Sequence, residues 1–247
     1  MFKYIFLGIV QGLTEFLPVS SSGHLIVAQR FLGIFSDEIA LSVVLHLGTI
    51  LALVIFFFKD ILKALRSLKM VILIIIVTLI TGVIGILGKD FFEGLFSAPK
   101  LISLQFAITG IILFLTRRFQ EGKRKELSRA DAIVTGFAQA ISIIPAISRS
   151  GITISALLFR KIDRQTAFNF SFLASIPAIL GAALLEARKV DTALNHNFAN
   201  LISGFIASFI TGILALIILK FVMQKAKFHY FSYYCFIIAI ITFLFLK

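Results

Sequence analysis

The chain has 247 residues, of which 59% are hydrophobic and 15% are Asp, Glu, Lys or Arg, with a mean hydropathy of +1.03. A soluble domain of this size keeps about 25% charged residues, so an ordinary soluble enzyme or binding module is excluded. The net charge of +12 would suggest nucleic acid in a soluble protein. Here the basic residues sit in short loops between apolar runs, which reads as a topology signal and as contact with anionic membrane lipid.

In chain order, the first region is Phe2–Phe35. It is apolar but broken by Pro18 and by the polar knot Ser20-Ser21-Ser22-Gly23-His24. Gln11 and Glu15 interrupt its first arm and no small-residue cleavage site follows, so it is read as part of the mature protein and not as a signal peptide. Three apolar runs near the ~20 residues of a membrane span come next: Glu38–Phe58, Met70–Gly88 and Leu101–Thr116. A second broken region, Arg129–Phe159, is split by Pro145 and the knot Ser148-Arg149-Ser150-Gly151. Three more runs follow, at Gln165–Glu186, Leu201–Phe221 and Tyr230–Leu246. The single cysteine, Cys235, lies in an apolar run and is read as a small buried hydrophobe. The many phenylalanines are expected mostly to face lipid, some lining a groove for a long isoprenoid.

Each arm of a broken region is short for a full span, and Pro and Gly clusters stop helices. Irregular backbone at membrane depth is tolerated only where it is buried in protein or lines a wet cavity. Each region therefore predicts a re-entrant helical hairpin with a polar tip. Sliding the sequence by 128 positions brings Gly8 onto Gly136, Gln11 onto Gln139, Ser20 onto Ser148, Ser22 onto Ser150 and Gly23 onto Gly151. The expected fold is an all-α integral membrane protein in one domain, residues 1–247. It is an inverted repeat of two units, about 1–120 and about 129–247, each a hairpin plus three transmembrane helices. An odd number of spans per unit inverts the second copy, as in many transport folds.

Loop charges agree with this reading. Lys59, Lys63, Arg66 and Lys69 follow the first span, and Arg117, Arg118, Lys123, Arg124, Lys125 and Arg129 follow the third. Arg160, Lys161 and Arg164 precede the fourth, and Lys220, Lys225 and Lys227 follow the fifth. The other loops carry fewer, Lys89 and Lys100 in one and Arg188 and Lys189 in another. By the positive-inside rule the richer loops are cytoplasmic and both termini lie outside. The first hairpin then enters from outside and the second from the cytoplasm, so their tips meet near the midplane.

Ionisable groups at that depth are costly and mark function. Gln11 and Glu15, four apart, share a helix face, and two oxygen donors suit a hard divalent cation, Mg²⁺ or Ca²⁺. Ser20, Ser21, Ser22 and Gly23 sit at a helix start, which attracts phosphate; so do Ser148, Ser150, Gly151 and Thr153. Arg149, always charged, needs an anion, and its fork matches phosphate oxygens. A structural Glu15–Arg149 ion pair is the plain alternative. His46 is read first as a packed residue and second as part of the site.

The run Gln11–Leu25, with Glu15, Pro18, Ser20, Ser21, Ser22, Gly23 and His24, resembles the first signature of the undecaprenyl-diphosphate phosphatases of the bacitracin-resistance type. Pro145–Thr153 is similar to their second signature, and Asn169–Pro177 resembles the stretch just after it. The resemblance implies hydrolysis of undecaprenyl diphosphate to undecaprenyl phosphate and phosphate. It also implies a divalent metal and a site open to the outer face of the bacterial cytoplasmic membrane. Residue by residue, Gln11 and Glu15 fall on the glutamate-rich metal motif, Ser20, Ser21 and His24 on the serine–histidine element, and Arg149 on the phosphate-binding arginine. In two places the chain departs from the pattern: Gln11 stands where many members have Glu, and Ala146 replaces a Gly.

On this basis Glu15, Ser21, His24 and Arg149 are the expected catalytic residues, with Ser21 as nucleophile or as the group positioning water and His24 as acid or base. Ser20, Ser22, Ser148, Ser150, Gly151 and Thr153 are the expected phosphate contacts. The expected partners are the polyprenyl diphosphate lipid, membrane lipids and a second copy of the chain, with no nucleic acid. The rival reading is a polyprenyl-phosphate transporter, which would bind the headgroup without hydrolysing it. An ion channel finds no support, because no charged ring or filter-like carbonyl run is present.

Overall fold

The computed structural model describes residues 1–33, 38–96, 100–119, 122–187 and 198–245, and these are helical with no strand among them. Arg188, Lys189, Leu246 and the side chain of Lys100 lie outside the described residues. The elements are α1 (Phe2–Phe16), α2 (Ser21–Leu32), α3 (Glu38–Phe56), α4 (Phe58–Leu65), α5 (Leu68–Leu87) and α6 (Lys89–Phe96). They continue with α7 (Lys100–Leu115), α8 (Arg129–Ile141), α9 (Arg149–Phe159), α10 (Arg164–Ala187), α11 (Phe198–Gln224) and α12 (Phe231–Phe245).

Five stretches are long and apolar enough to cross a membrane: Leu68–Leu87, Leu101–Phe119, Arg164–Glu186, Phe198–Gln224 and Phe228–Phe245. The sixth expected span is bent by 72°, between Ala40–Phe56 and Phe58–Leu65. The chain is thus an all-α membrane protein with five or six spans. Its polarity pattern is that of a protein in lipid. In α5 only Leu73, Val77 and Thr81 are buried, one stripe at a spacing of four. Ile72, Ile75, Leu79, Val83 and Ile86 point outward, where hydrocarbon is the solvent.

The two broken regions form two helix pairs, α1–α2 and α8–α9, each joined by a short turn. Both turns contain a residue at positive φ that is not glycine, Ser20 at 70° and Ala146 at 55°. Such a conformation costs an L-residue roughly 1–2 kcal/mol and persists only where the surroundings hold it. Ala146 is fully buried and packs with Ile102, Phe106 and Ala239. Ala146 therefore carries backbone strain and contributes a buried methyl.

Helix pairing follows one scheme. α1 packs on α11, and α8 packs on α5. α3 also packs on α11, α10 on α5, and α7 on α12. The α1–α11 contact is backbone to backbone. A β-carbon on Gly8 would run into the Gly204 carbonyl, and one on Gly12 into the Ser208 carbonyl and the Thr211 hydroxyl. Small residues give membrane helices this close approach, since lipid supplies no hydrophobic drive between them.

Among the described phenylalanines more are exposed than buried, in line with the expectation that they mostly face lipid, and a buried subset fills the centre. Phe16, Phe57, Phe168 and Phe172 are fully buried, with ring centroids 5.0 to 5.7 Å apart. At one edge of the molecule Asp131 is fully buried and anchors the start of α8. It accepts two bonds of 2.7 Å from Arg124, one from Arg160 Nε, and others from the Ser128 amide and hydroxyl. Burial opposes its charge, but the bonds from Arg124, Arg160 and Ser128 outweigh that and hold its carboxyl well below the usual carboxylate range.

Two predictions follow from the packing. Gly12→Ala lowers the melting temperature in detergent, whereas Gly82→Ala, with open space at its β-carbon, leaves it unchanged or raises it, since Gly costs a helix about 0.5–1 kcal/mol relative to Ala. Asp131 carries a depressed pKa in the folded state, so its contribution is present above the unfolded value of about 3.9 and is lost as pH falls below it. The melting temperature of Asp131→Asn is expected to lie below wild type from pH 8 to 5, with the gap closing under pH 4.

Candidate active site

Glu15 sits in the last turn of α1, and Arg149 opens α9, 134 positions later in the chain. The fold joins them: Arg149 Nη2 donates to Glu15 Oε1 at 2.6 Å, and their side chains are only 14% and 8% exposed. The second carboxylate oxygen gathers the first hairpin. Ser21 Oγ donates to Glu15 Oε2 at 2.6 Å, and Gln11 Nε2 donates to it at 3.1 Å. The guanidinium lies 6.0 Å from the centroid of the Phe172 ring, within cation–π range.

Two polar atoms in this cluster are buried without a hydrogen-bond partner: Arg149 Nη1 and Gln11 Oε1. An orphaned donor on a cation and an orphaned acceptor beside a carboxylate are unusual in a native interior. The donor suits an anionic oxygen and the acceptor suits a cation. Gln11 Oε1 and the Glu15 carboxylate are the two oxygen donors that could hold a hard divalent ion. Among the described residues no three of His, Cys, Asp and Glu gather into a fuller metal cluster.

The remaining sequence-derived residues divide into two groups. Ser22 links the tips, since its hydroxyl accepts from the Ala146 amide at 3.3 Å and lies 3.2 Å from Ser20 Oγ. Ser148, Ser150, Gly151 and Thr153 turn inward. Ser148 caps α9 by accepting from the Gly151 amide at 3.1 Å and lies 3.4 Å from Ser150 Oγ, while Thr153 pairs with Ser171 at 2.6 Å. All four are buried, so their bonds brace the helix that carries Arg149.

His24 points away from the carboxylate. Its Nδ1 lies 2.7 Å from the Ser20 carbonyl and its Nε2 2.8 Å from the Tyr234 hydroxyl, with that ring stacked 5.6 Å away. A carbonyl only accepts, so Nδ1 carries the proton and, in the neutral ring, Nε2 accepts from Tyr234. His46 on α3 is the imidazole near the carboxylate, its Nε2 3.8 Å from Glu15 Oε2. Tyr234 was not singled out in the sequence, and no motif could have done so: it reaches His24 from α12, across the whole chain. Cys235 beside it is buried, and its thiol donates to the Pro18 carbonyl at 3.7 Å, a packing role as expected.

Fold and site together define a multi-pass membrane protein that holds a carboxylate, a guanidinium and a serine hydroxyl in one buried cluster. The chain belongs to the family described as bacitracin resistance protein BacA, which matches residues 4–241. Among its relatives is the undecaprenyl-diphosphatase of Carboxydothermus hydrogenoformans, 43% identical over 97% of this chain and 95% of the relative. The undecaprenyl-diphosphatase of Halothermothrix orenii is 41% identical over 97% and 96%. That of Thermotoga petrophila is 40% identical over 97% and 98%.

Tyr234→Phe removes the only proton aimed at His24 Nε2 by that ring and keeps the stacking. The expected result is a shifted pH profile of activity with melting temperature within a degree or two of wild type. An unchanged profile would show that Tyr234 does not act on the imidazole.

Proposed function

We propose that this protein hydrolyses undecaprenyl diphosphate to undecaprenyl phosphate and phosphate, recycling the lipid carrier of cell-wall precursors and thereby conferring resistance to bacitracin. The observation that carries this reading is the Arg149–Glu15–Ser21 chain, with one guanidinium nitrogen left free beside it. The named activity of the relatives supports it.

In this mechanism the diphosphate draws Arg149 off Glu15, and the guanidinium fork neutralises charge on the terminal phosphoryl group, the main requirement of phosphoryl transfer. Ser21 Oγ then attacks the terminal phosphorus, and its proton passes to Glu15. The bond to the bridging oxygen breaks, and its electron pair leaves with undecaprenyl phosphate. Water then releases phosphate from Ser21, the phosphate leaving with the water's protons while Glu15 returns its proton to Ser21 Oγ; His24 serves as acid or base only once its Nε2 has given up the Tyr234 hydroxyl. A divalent cation held by Glu15 and Gln11 would supply further neutralisation of the diphosphate charge. Ser20, Ser22 and the amides at the start of α2 line the phosphate on its other side. Ser148, Ser150, Gly151 and Thr153 fix the start of α9.

The same reading includes an inverted repeat of two re-entrant hairpins. What supports it is the exchange in helix pairing, since each hairpin rests on the second span of the other half, α1 on α11 and α8 on α5. The contacts repeat in detail: Thr211 Oγ1 lies 3.5 Å from the Gly8 carbonyl and Thr81 Oγ1 3.3 Å from the Gly136 carbonyl. With the charge-rich loops in the cytoplasm, both termini lie outside a bacterial cytoplasmic membrane and the site opens to its outer face.

The test is phosphate release from undecaprenyl diphosphate by purified protein in detergent, with and without EDTA. Release is expected to need a divalent metal and to fall at least about 10²-fold in Ser21→Ala, Glu15→Ala and Arg149→Ala. No release by folded wild-type protein, across several divalent metals, would overturn the reading in favour of a lipid-phosphate transporter.

A further inference from the structure

We propose that His46 is a nitrogen ligand to the divalent cation at Glu15, making the centre a mixed carboxylate, amide and imidazole site. This rests on the cation reading of Glu15 and Gln11 given above.

The ring is already set for ligation. His46 Nδ1 lies 2.8 Å from the carbonyl of Ser42, one turn earlier on α3, and 3.4 Å from its hydroxyl. The carbonyl accepts, so Nδ1 is the protonated nitrogen and the Nε2 lone pair is free in the neutral ring. Metal-bound histidines are held in this way, with the second ring nitrogen donating to a backbone carbonyl or carboxylate.

His46 Nε2 lies 3.8 Å from Glu15 Oε2, with the two side chains 27% and 8% exposed. That separation is too long for a hydrogen bond. Two donors each about 2.0–2.2 Å from one ion stand roughly 3–4 Å apart, so the gap matches a shared cation. A third donor is present: Gln11 Oε1 is fully buried, has no partner, and belongs to the amide whose nitrogen touches the same carboxylate oxygen. His24 offers no equivalent, since its Nε2 is occupied by Tyr234.

The consequence is a shift in metal preference. Carboxylate and amide oxygens suit Mg²⁺ and Ca²⁺, whereas imidazole favours transition metals. An imidazole ligand therefore gives Mn²⁺ tighter binding than Ca²⁺.

The experiment uses full-length protein in detergent, loaded with Mn²⁺ alone and read by electron spin echo modulation. Wild type is expected to show a directly coordinated ¹⁴N that changes on selective ¹⁵N-histidine labelling. The coupling persists in His24→Gln and disappears in His46→Gln, whose Mn²⁺ affinity falls about 10-fold or more. Bound Mn²⁺ without histidine nitrogen coupling in wild type overturns the assignment, whatever the stability of the variants, as does coupling that survives in His46→Gln. Protein that binds no Mn²⁺ overturns it as well. Phosphate release measured on the same wild-type preparation reports separately on the hydrolytic reading, which stands if release occurs without nitrogen coupling.

Discussion

The structure is organised around one buried ion pair. Glu15 and Arg149 meet at 2.6 Å, almost out of reach of solvent. Taking two such charges from water costs several kcal/mol per ion, and their attraction offsets this only when other hydrogen bonds complete the site. Ser21 and Gln11 complete the carboxylate. Phe172 covers one face of the guanidinium, while Ser148 and Thr153 fix the helix that presents it. The strained turns at Ser20 and Ala146 belong to the same arrangement, because they lie just before α2 and α9 and meet through the Ala146 amide and the Ser22 hydroxyl. The pair remains incomplete, since Arg149 Nη1 and Gln11 Oε1 have no partner. A purely structural ion pair would have no reason to leave such groups orphaned.

Much of this was legible in the sequence because lipid makes the signal strong. Apolar runs marked the spans, with ends agreeing to within a few residues: Met70–Gly88 was expected and Leu68–Leu87 is found. Glu15 and Arg149 stood out because a charge in an apolar run has few bland explanations. The short helices α4 and α6 were missed because eight residues give too little periodicity to separate from a loop. The bend of 72° after Phe56 was hidden for the same reason, since hydropathy has no direction.

Side-chain orientation was the other blind spot. Ser148, Ser150 and Thr153 have partners within the protein, Ser148 as the cap of α9 and Thr153 through Ser171, a detail that motif order does not give. The sequence ranked His24 above His46, because His24 is adjacent to the serines. In the fold His24 is held by Tyr234, and His46 reaches the carboxylate from a different helix. Both results depend on how α12 and α3 pack on the hairpin, which one sequence does not encode locally. Composition likewise counts aromatic rings without placing them, and only packing distinguishes the exposed rings from those, such as Phe172, that lie against Arg149.

The backbone contact between α1 and α11 limits how the protein can move. With no layer of side chains between them at Gly8 and Gly12, the two helices cannot slide past each other without collision, so they travel together as one rigid beam. α8 is likewise tied to α5, through Thr81 and Gln139. Between these two helix pairs runs the Glu15–Arg149 contact. The ion pair thus also ties α1, and with it α11, to α9 and its neighbour α8.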